Sequence, residues 1–202
     1  MMRDRFIDDL NRLETLNFDM FRMGEQSLSL LCQLLTNRDA SLDNKIAAYE
    51  GAMDEKKRQI ESLALALILR EQPVAQDLAL ITSSMGVVVD LERISDQARD
   101  IAELMAVPKQ LENRAVDHLA NLADHAFKMY KLARKSYVER SKCAEILEEM
   151  DDSLDHGFEQ IKEFFQKDPT PQDLDLLLVA QYLERIGDHC VNIGEWVDQF
   201  II

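Results

Sequence analysis

Two stretches of this chain carry the same run of polar side chains at helical spacing. Glu92, Asp96, Asp100 and Glu103 recur as Glu184, Asp188, Asn192 and Glu195, and each series falls along one face of a helix. A shorter pair precedes each run, Glu50 with Asp54 and Asp151 with Asp155. Four residues along a helix set two carboxylates about 5–6 Å apart at Cβ, where like charges repel by a few tenths of a kcal/mol. No Lys or Arg stands three or four residues from Glu184, so the pairing there is acid with acid. Two adjacent antiparallel helices carrying such pairs can bring four carboxylates onto one patch. Carboxylate oxygen suits Mg, Mn, Ca and iron, and bridging carboxylates hold two metals about 3.5–4 Å apart. The chemistry this spacing points to is binding of divalent or iron ions, in mononuclear or multinuclear form. The competing reading is a solvated acidic face that binds nothing.

The elements that must position these acids are helices. The chain has 202 residues, 47% of them apolar, with only six Gly and four Pro. That is enough to fill a core and too few turn formers for a many-stranded β protein. The net charge of −15 argues against nucleic acid, whose binding rests on Lys and Arg displacing counterions. The longest apolar run, Leu63 to Leu69, is far short of the roughly 20 residues needed to span a bilayer. The charged start, Arg3-Asp4-Arg5, lacks the apolar stretch of a signal peptide. Cys32, Cys143 and Cys190 are widely spaced among apolar neighbours, as reduced core thiols of a cytoplasmic protein are.

Turn signals at Asn37-Arg38-Asp39, Glu71-Gln72-Pro73, Val107-Pro108 and Asp168-Pro169-Thr170-Pro171, with a softer break near residues 137–141, predict six long antiparallel helices. Pro73 and Pro171 are read as helix openers and Pro108 as a terminator. The punctuation occurs twice. Met53-Asp54-Glu55 matches Met150-Asp151-Asp152, and Leu91-Glu92-Arg93-Ile94-Ser95-Asp96 matches Leu183-Glu184-Arg185-Ile186-Gly187-Asp188. The expected fold is all-α, two repeated three-helix bundles with pseudo-twofold symmetry, residues 1–107 and 108–202. Leu91, Ile94, Ala98, Ile101 and Met105, with Leu183, Ile186, Cys190, Ile193 and Val197, step 3 and 4 and form the core stripes. On a helical wheel the acids point away from those stripes. Gly187 costs a strong helix about 1 kcal/mol relative to Ala. With Ser95 as its counterpart, it leaves room for a cluster or a helix to approach.

His156 and His189 flank acids of the second half, but neither has a first-half counterpart. Carboxylate-bridged oxidases built inside bundles need Glu-x-x-His, and the residues three before His118, His125, His156 and His189 are Ala115, Leu122, Ser153 and Ile186. The chain does not read as an enzyme.

Leu183-Glu-Arg-Ile-Gly-Asp-His-Cys-Val-Asn-Ile-Gly-Glu, its partner Leu91-Glu-Arg-Ile-Ser-Asp-Gln-Ala-Arg-Asp-Ile-Ala-Glu, and the opener Gln72-Pro-Val-Ala-Gln-Asp-Leu resemble the PhoU family of phosphate-transport accessory proteins, over essentially the whole chain. The resemblance implies metal held by the paired acidic motifs. Glu92 and Asp96 would join Glu50 or Asp54 in one site, and Glu184 and Asp188 would join Asp151 and Asp155 in the other, with Asp100 and Asn192 one turn further along. Arg58 stands where Asp155 stands in the second half, a departure that weakens the first site. The family role so implied is a regulatory adaptor coupling a phosphate ABC transporter ATPase to a phosphate-sensing histidine kinase and repressing the phosphate-starvation response. It implies a cytoplasmic protein that reaches the membrane only through its partners, and a homodimer is compatible with it. The alternative is a metal-independent helical adaptor or scaffold whose acidic face is solvated.

Overall fold

Local chemistry starts some of the helices. In the computed structural model, which describes residues 2–37, 39–106, 113–165 and 170–201, six helices follow one another: α1 (Met2–Asn37), α2 (Asp43–Glu71), α3 (Ala75–Ala106), α4 (Asn113–Glu139), α5 (Ala144–Phe165) and α6 (Pro171–Phe200). A short 3-10 turn, Ala40–Leu42, precedes α2. It is held by Asp39, whose carboxylate accepts from Ser41 N and Oγ. Thr170 and Asp173 cap each other reciprocally at the start of α6, with Pro171 in its first turn, satisfying two backbone donors that the helix leaves open. Pro73 does not open α3. It stands in the three-residue link 72–74, which opens with Gln72, left-handed at φ 46°, and leads into Ala75, left-handed at φ 42°, and the helix begins beyond it. Pro108 lies outside the described residues.

Helices α1, α2 and α3 pack on one another, as do α4, α5 and α6. The two bundles meet through α3 against α6, the most extensive helix pair in the molecule, and α1 against α4. Each meeting pair consists of helices that correspond under the repeat, which is what a twofold relation between the halves produces. Among the described residues nearly all the buried apolar side chains form one cluster running through both bundles. At the α1–α4 contact Gly24 lets the buried Tyr130 ring close onto the α1 backbone, where its hydroxyl donates to Phe21 O at 2.8 Å. Phe21 also packs on Tyr137, centroids 4.9 Å apart.

Burial sets the register of the repeat. The buried series Ile46, Met53, Ile60, Ala64 of α2 and Leu147, Leu154, Ile161, Phe165 of α5 advance by the same steps. Superposing them pairs Glu50 with Asp151, Asp54 with Asp155 and Arg58 with Glu159. This corrects the sequence match of Met53-Asp54 with Met150-Asp151, which is one helical turn out: Met53 is fully buried and Met150 only half so. A slip of four residues nearly preserves the helix face, so letter similarity alone did not reveal it. Arg58 takes no acid's place. It is exposed and pairs with Glu55, Nη2 to Oε2 2.9 Å.

Candidate metal centre

The acids sit on the seams between neighbouring helices rather than on faces turned away from the core. In the first half the seam is between α2 and α3. There Glu50, Asp54 and Asp96 converge, each offering a carboxylate oxygen within 4.8 Å of the others. Among the described residues no other group of three or more potential ligands converges so closely. Glu92 is not part of it. Its Oε1 is bound by Lys57 Nζ at 2.7 Å, with the Glu92 side chain only 15% exposed, and its buried Oε2 has no hydrogen-bond partner. Burial, with Glu92, Asp54 and Glu50 adding to it against the opposing pull of Arg93, raises Asp96 from 3.8 to about 6.

In the second half Asp151, Asp155, Glu184 and Asp188 face one another across the α5–α6 seam. Burial first, then Asp188, Asp155 and Glu184, push Asp151 from 3.8 to about 7. Glu184 and Asp188 are raised by burial and by the carboxylates beside them. Asp151 Oδ1 is buried without a hydrogen-bond partner. It occupies the space that a Cβ on Gly187 would fill, 2.5 Å from that position, with Leu154 Cδ2 at 2.4 Å. The glycine thus admits the carboxylate against the α6 backbone. Orphaned buried carboxylate oxygens, an all-oxygen donor set and a glycine cradle suit a hard cation, which would supply the missing partner and relieve the mutual repulsion.

Two residues of the sequence stripe, one acid and one amide, lie elsewhere. Asp100 stands near Tyr182 of α6, and Asn192 Nδ2 donates to Asp90 Oδ1 at 3.1 Å. The two pairs are built from corresponding positions, Asp90 with Tyr182 and Asn192 with Asp100. Both belong to the α3–α6 interface, which takes a second face of each helix that a single-helix wheel leaves blank. Asp90 is a residue that sequence reasoning missed. Buried, it also accepts from His189 Nδ1 at 2.8 Å and Trp196 Nε1 at 3.1 Å. The 3- and 4-residue spacing of His189, Asn192 and Trp196 on α6 was the available signal. His156 is exposed beside Gln160, and His125 contacts Met150 O. The cysteines form no disulfide, and burial raises all three thiols, Cys32 to about 11.

A model of the PhoU domain matches residues 18–105 and 119–197, one copy in each half. The chain belongs to the PhoU family. It is 32% identical to a phosphate-specific transport system accessory protein PhoU homolog of Synechocystis, over 98% of this chain and 92% of that protein. A Rhizobium meliloti protein of the same description is 30% identical over 95% of this chain and 85% of its own length. The fold matches the crystal structure of PhoU from Pseudomonas aeruginosa with a TM-score of 0.91 at 23% identity, covering 97% and 98% of the two chains. It also matches the Streptococcus pneumoniae regulatory protein PhoU at 0.83 and 20%, covering 96% of each chain.

The raised carboxylates of this PhoU chain carry a stability consequence. Their folded pKa values lie above the unfolded ones. Between about pH 4 and 7 the folded state therefore holds more protons than the unfolded chain, and stability falls as pH rises through that window. With chelator present, the melting temperature is expected to be higher near pH 5.5 than near pH 7.5. Asp151→Asn is expected to raise the value at the higher pH and flatten the difference. A chelated protein that melts lower at the acidic pH would contradict this reading of the patches.

Proposed function

We propose that the chain is a regulatory accessory protein of a phosphate transport system. It works in the cytoplasm without enzymatic activity, coupling a phosphate ABC transporter ATPase to a phosphate-sensing histidine kinase and repressing the phosphate-starvation response. Residues 1–107 and 108–202 act as its two repeat units, each carrying an acidic seam that holds metal: Glu50, Asp54 and Asp96 in the first, and Asp151, Asp155, Glu184 and Asp188 in the second. The observation that carries the role is full-length similarity to phosphate-specific transport accessory proteins, with both PhoU copies in place. The metal reading rests on the carboxylate lodged against Gly187. No helix among the described residues is long and apolar enough to cross a membrane, so the transporter would be met through its cytoplasmic parts.

The test uses a deletion strain grown in high phosphate. Loss of the gene is expected to release phosphate-starvation genes, and the wild-type chain to restore repression. A deletion strain with ordinary expression would count against the role. Protein purified without chelator is expected to carry stoichiometric metal, lowered by Glu184→Ala with Asp188→Ala at unchanged helicity. Metal content indifferent to both substitutions favours the second reading, a metal-independent adaptor with an acidic face, for which the Lys57–Glu92 pair is the supporting observation.

A further inference from the structure

The two acidic seams are built from corresponding positions and yet differ in one charge. Lys57 lies on α2 one turn beyond Asp54 and crosses to Glu92 on α3, both side chains mostly buried at 22% and 15% exposure. It holds Glu92 out of the group formed by Glu50, Asp54 and Asp96. Arg93 adds a second, looser cation, 3.9 Å from Asp96. In the burial register of the repeat the position of Lys57 is taken in α5 by Phe158, which packs against the core. The nearest lysine there, Lys162, is bound to Glu159 at 2.5 Å and lies over the Phe158 ring. The second seam thus presents four carboxylates none of which is ion-paired to a lysine, Lys162 and Arg185 acting on Glu184 only from a distance, and Gly187 where the first seam has Ser95.

We propose that Lys57 is a built-in counter-cation that makes the first seam the weaker, single-ion site, so that hard cations fill the Asp151–Asp155–Glu184–Asp188 seam first. This rests on the metal reading above and adds to it an order of filling set by this chain's own lysine. The physical reason is direct. A lysine paired with Glu92 withdraws one carboxylate from the seam and leaves a positive charge on its border that opposes a divalent ion, an effect worth on the order of a factor of ten in binding.

The probe is Mn²⁺ alone, titrated into chelator-stripped protein and followed by calorimetry and by the resonance signal of the free ion. Wild type is expected to show two classes of site. Asp151→Asn with Asp188→Asn removes the tight class, and Glu50→Gln with Asp96→Asn removes the weak one. Lys57→Met is expected to tighten the weak class about tenfold, whereas Lys57→Arg, which keeps the charge, leaves it unchanged. The reciprocal variant, Phe158→Lys, places an ammonium in the second seam and is expected to loosen the tight class by a similar factor. Circular dichroism controls folding in every case. Two equal classes in wild type, or a weak class that Lys57→Met does not move, overturns the proposal while leaving the metal reading standing. No Mn²⁺ bound by wild type overturns both.

Discussion

Replacing Asp90 by alanine is expected to lower folding stability by about 3–5 kcal/mol, more than removal of any acid of the seams. The carboxylate is 9% exposed and collects three donors from α6: His189 Nδ1 at 2.8 Å, Asn192 Nδ2 at 3.1 Å and Trp196 Nε1 at 3.1 Å. Hydrogen bonds to an ionised group each contribute about 1.5–3 kcal/mol, and buried donors stranded by truncation carry their own desolvation cost. The contact also lies on α3–α6, the main junction between the halves. Asp90→Asn keeps the shape and one acceptor oxygen but turns an amide toward one donor, so its cost is expected to be about half as large. Urea denaturation of the chelated proteins measures both. A loss below about 1 kcal/mol for the alanine variant would mean that the three bonds do little more than replace hydration.

The seams respond in the opposite direction, and that contrast separates structural acids from candidate ligands. Asp90 has a full set of donors from the protein itself. Asp151 and Glu92 each keep a buried oxygen with no hydrogen-bond partner, and burial together with the carboxylates beside it raises Asp151 to about 7. Removing charge at Asp151 is thus expected to stabilise the metal-free chain, while removing it at Asp90 is expected to destabilise it.

How much of this was legible beforehand follows from which interactions are local. Helix number, all-α class and the core stripes of α3 and α6 are written in 3- and 4-residue periodicity, and Leu91, Ile94, Ala98 and Ile101 are all fully buried. The seam acids were legible because two helices repeat them at the same spacing. Asp100 and Asn192 were misplaced because periodicity assigns one buried face per helix, while α3 and α6 each bury two, one within their bundle and one against each other. The Arg58 departure arose from matching letters in α2 and α5, where a shift of one turn leaves the faces in place and only burial distinguishes Met53 from Met150. The Lys57–Glu92 pair links residues 35 positions apart, a distance at which no helical spacing rule applies.

The junction that Asp90 holds also predicts the behaviour of a glycine. Alanine at Gly86 is expected to destabilise the protein by about 2–3 kcal/mol, although helix propensity alone favours alanine by about 1 kcal/mol. An added Cβ would lie 2.2, 2.4 and 2.7 Å from Cε2, Cδ2 and Cζ2 of Trp196. These atoms belong to a rigid fused ring, and its Nε1 is held by Asp90, so the ring cannot move aside without giving up that bond. Gly51 is the internal control. A Cβ there meets nothing within 4 Å, and Gly51→Ala is expected to stabilise by about 0.5–1 kcal/mol. The chain has a single tryptophan, so its fluorescence reports the junction directly, and Gly86→Ala is expected to shift emission to longer wavelength while Gly51→Ala leaves it in place. If the two alanines prove equally stabilising, the indole does not rest on α3. If they diverge in sign, the close approach of α3 and α6 depends on the missing side chain at Gly86. The orientation of one seam relative to the other then rests on a contact far from any of their carboxylates.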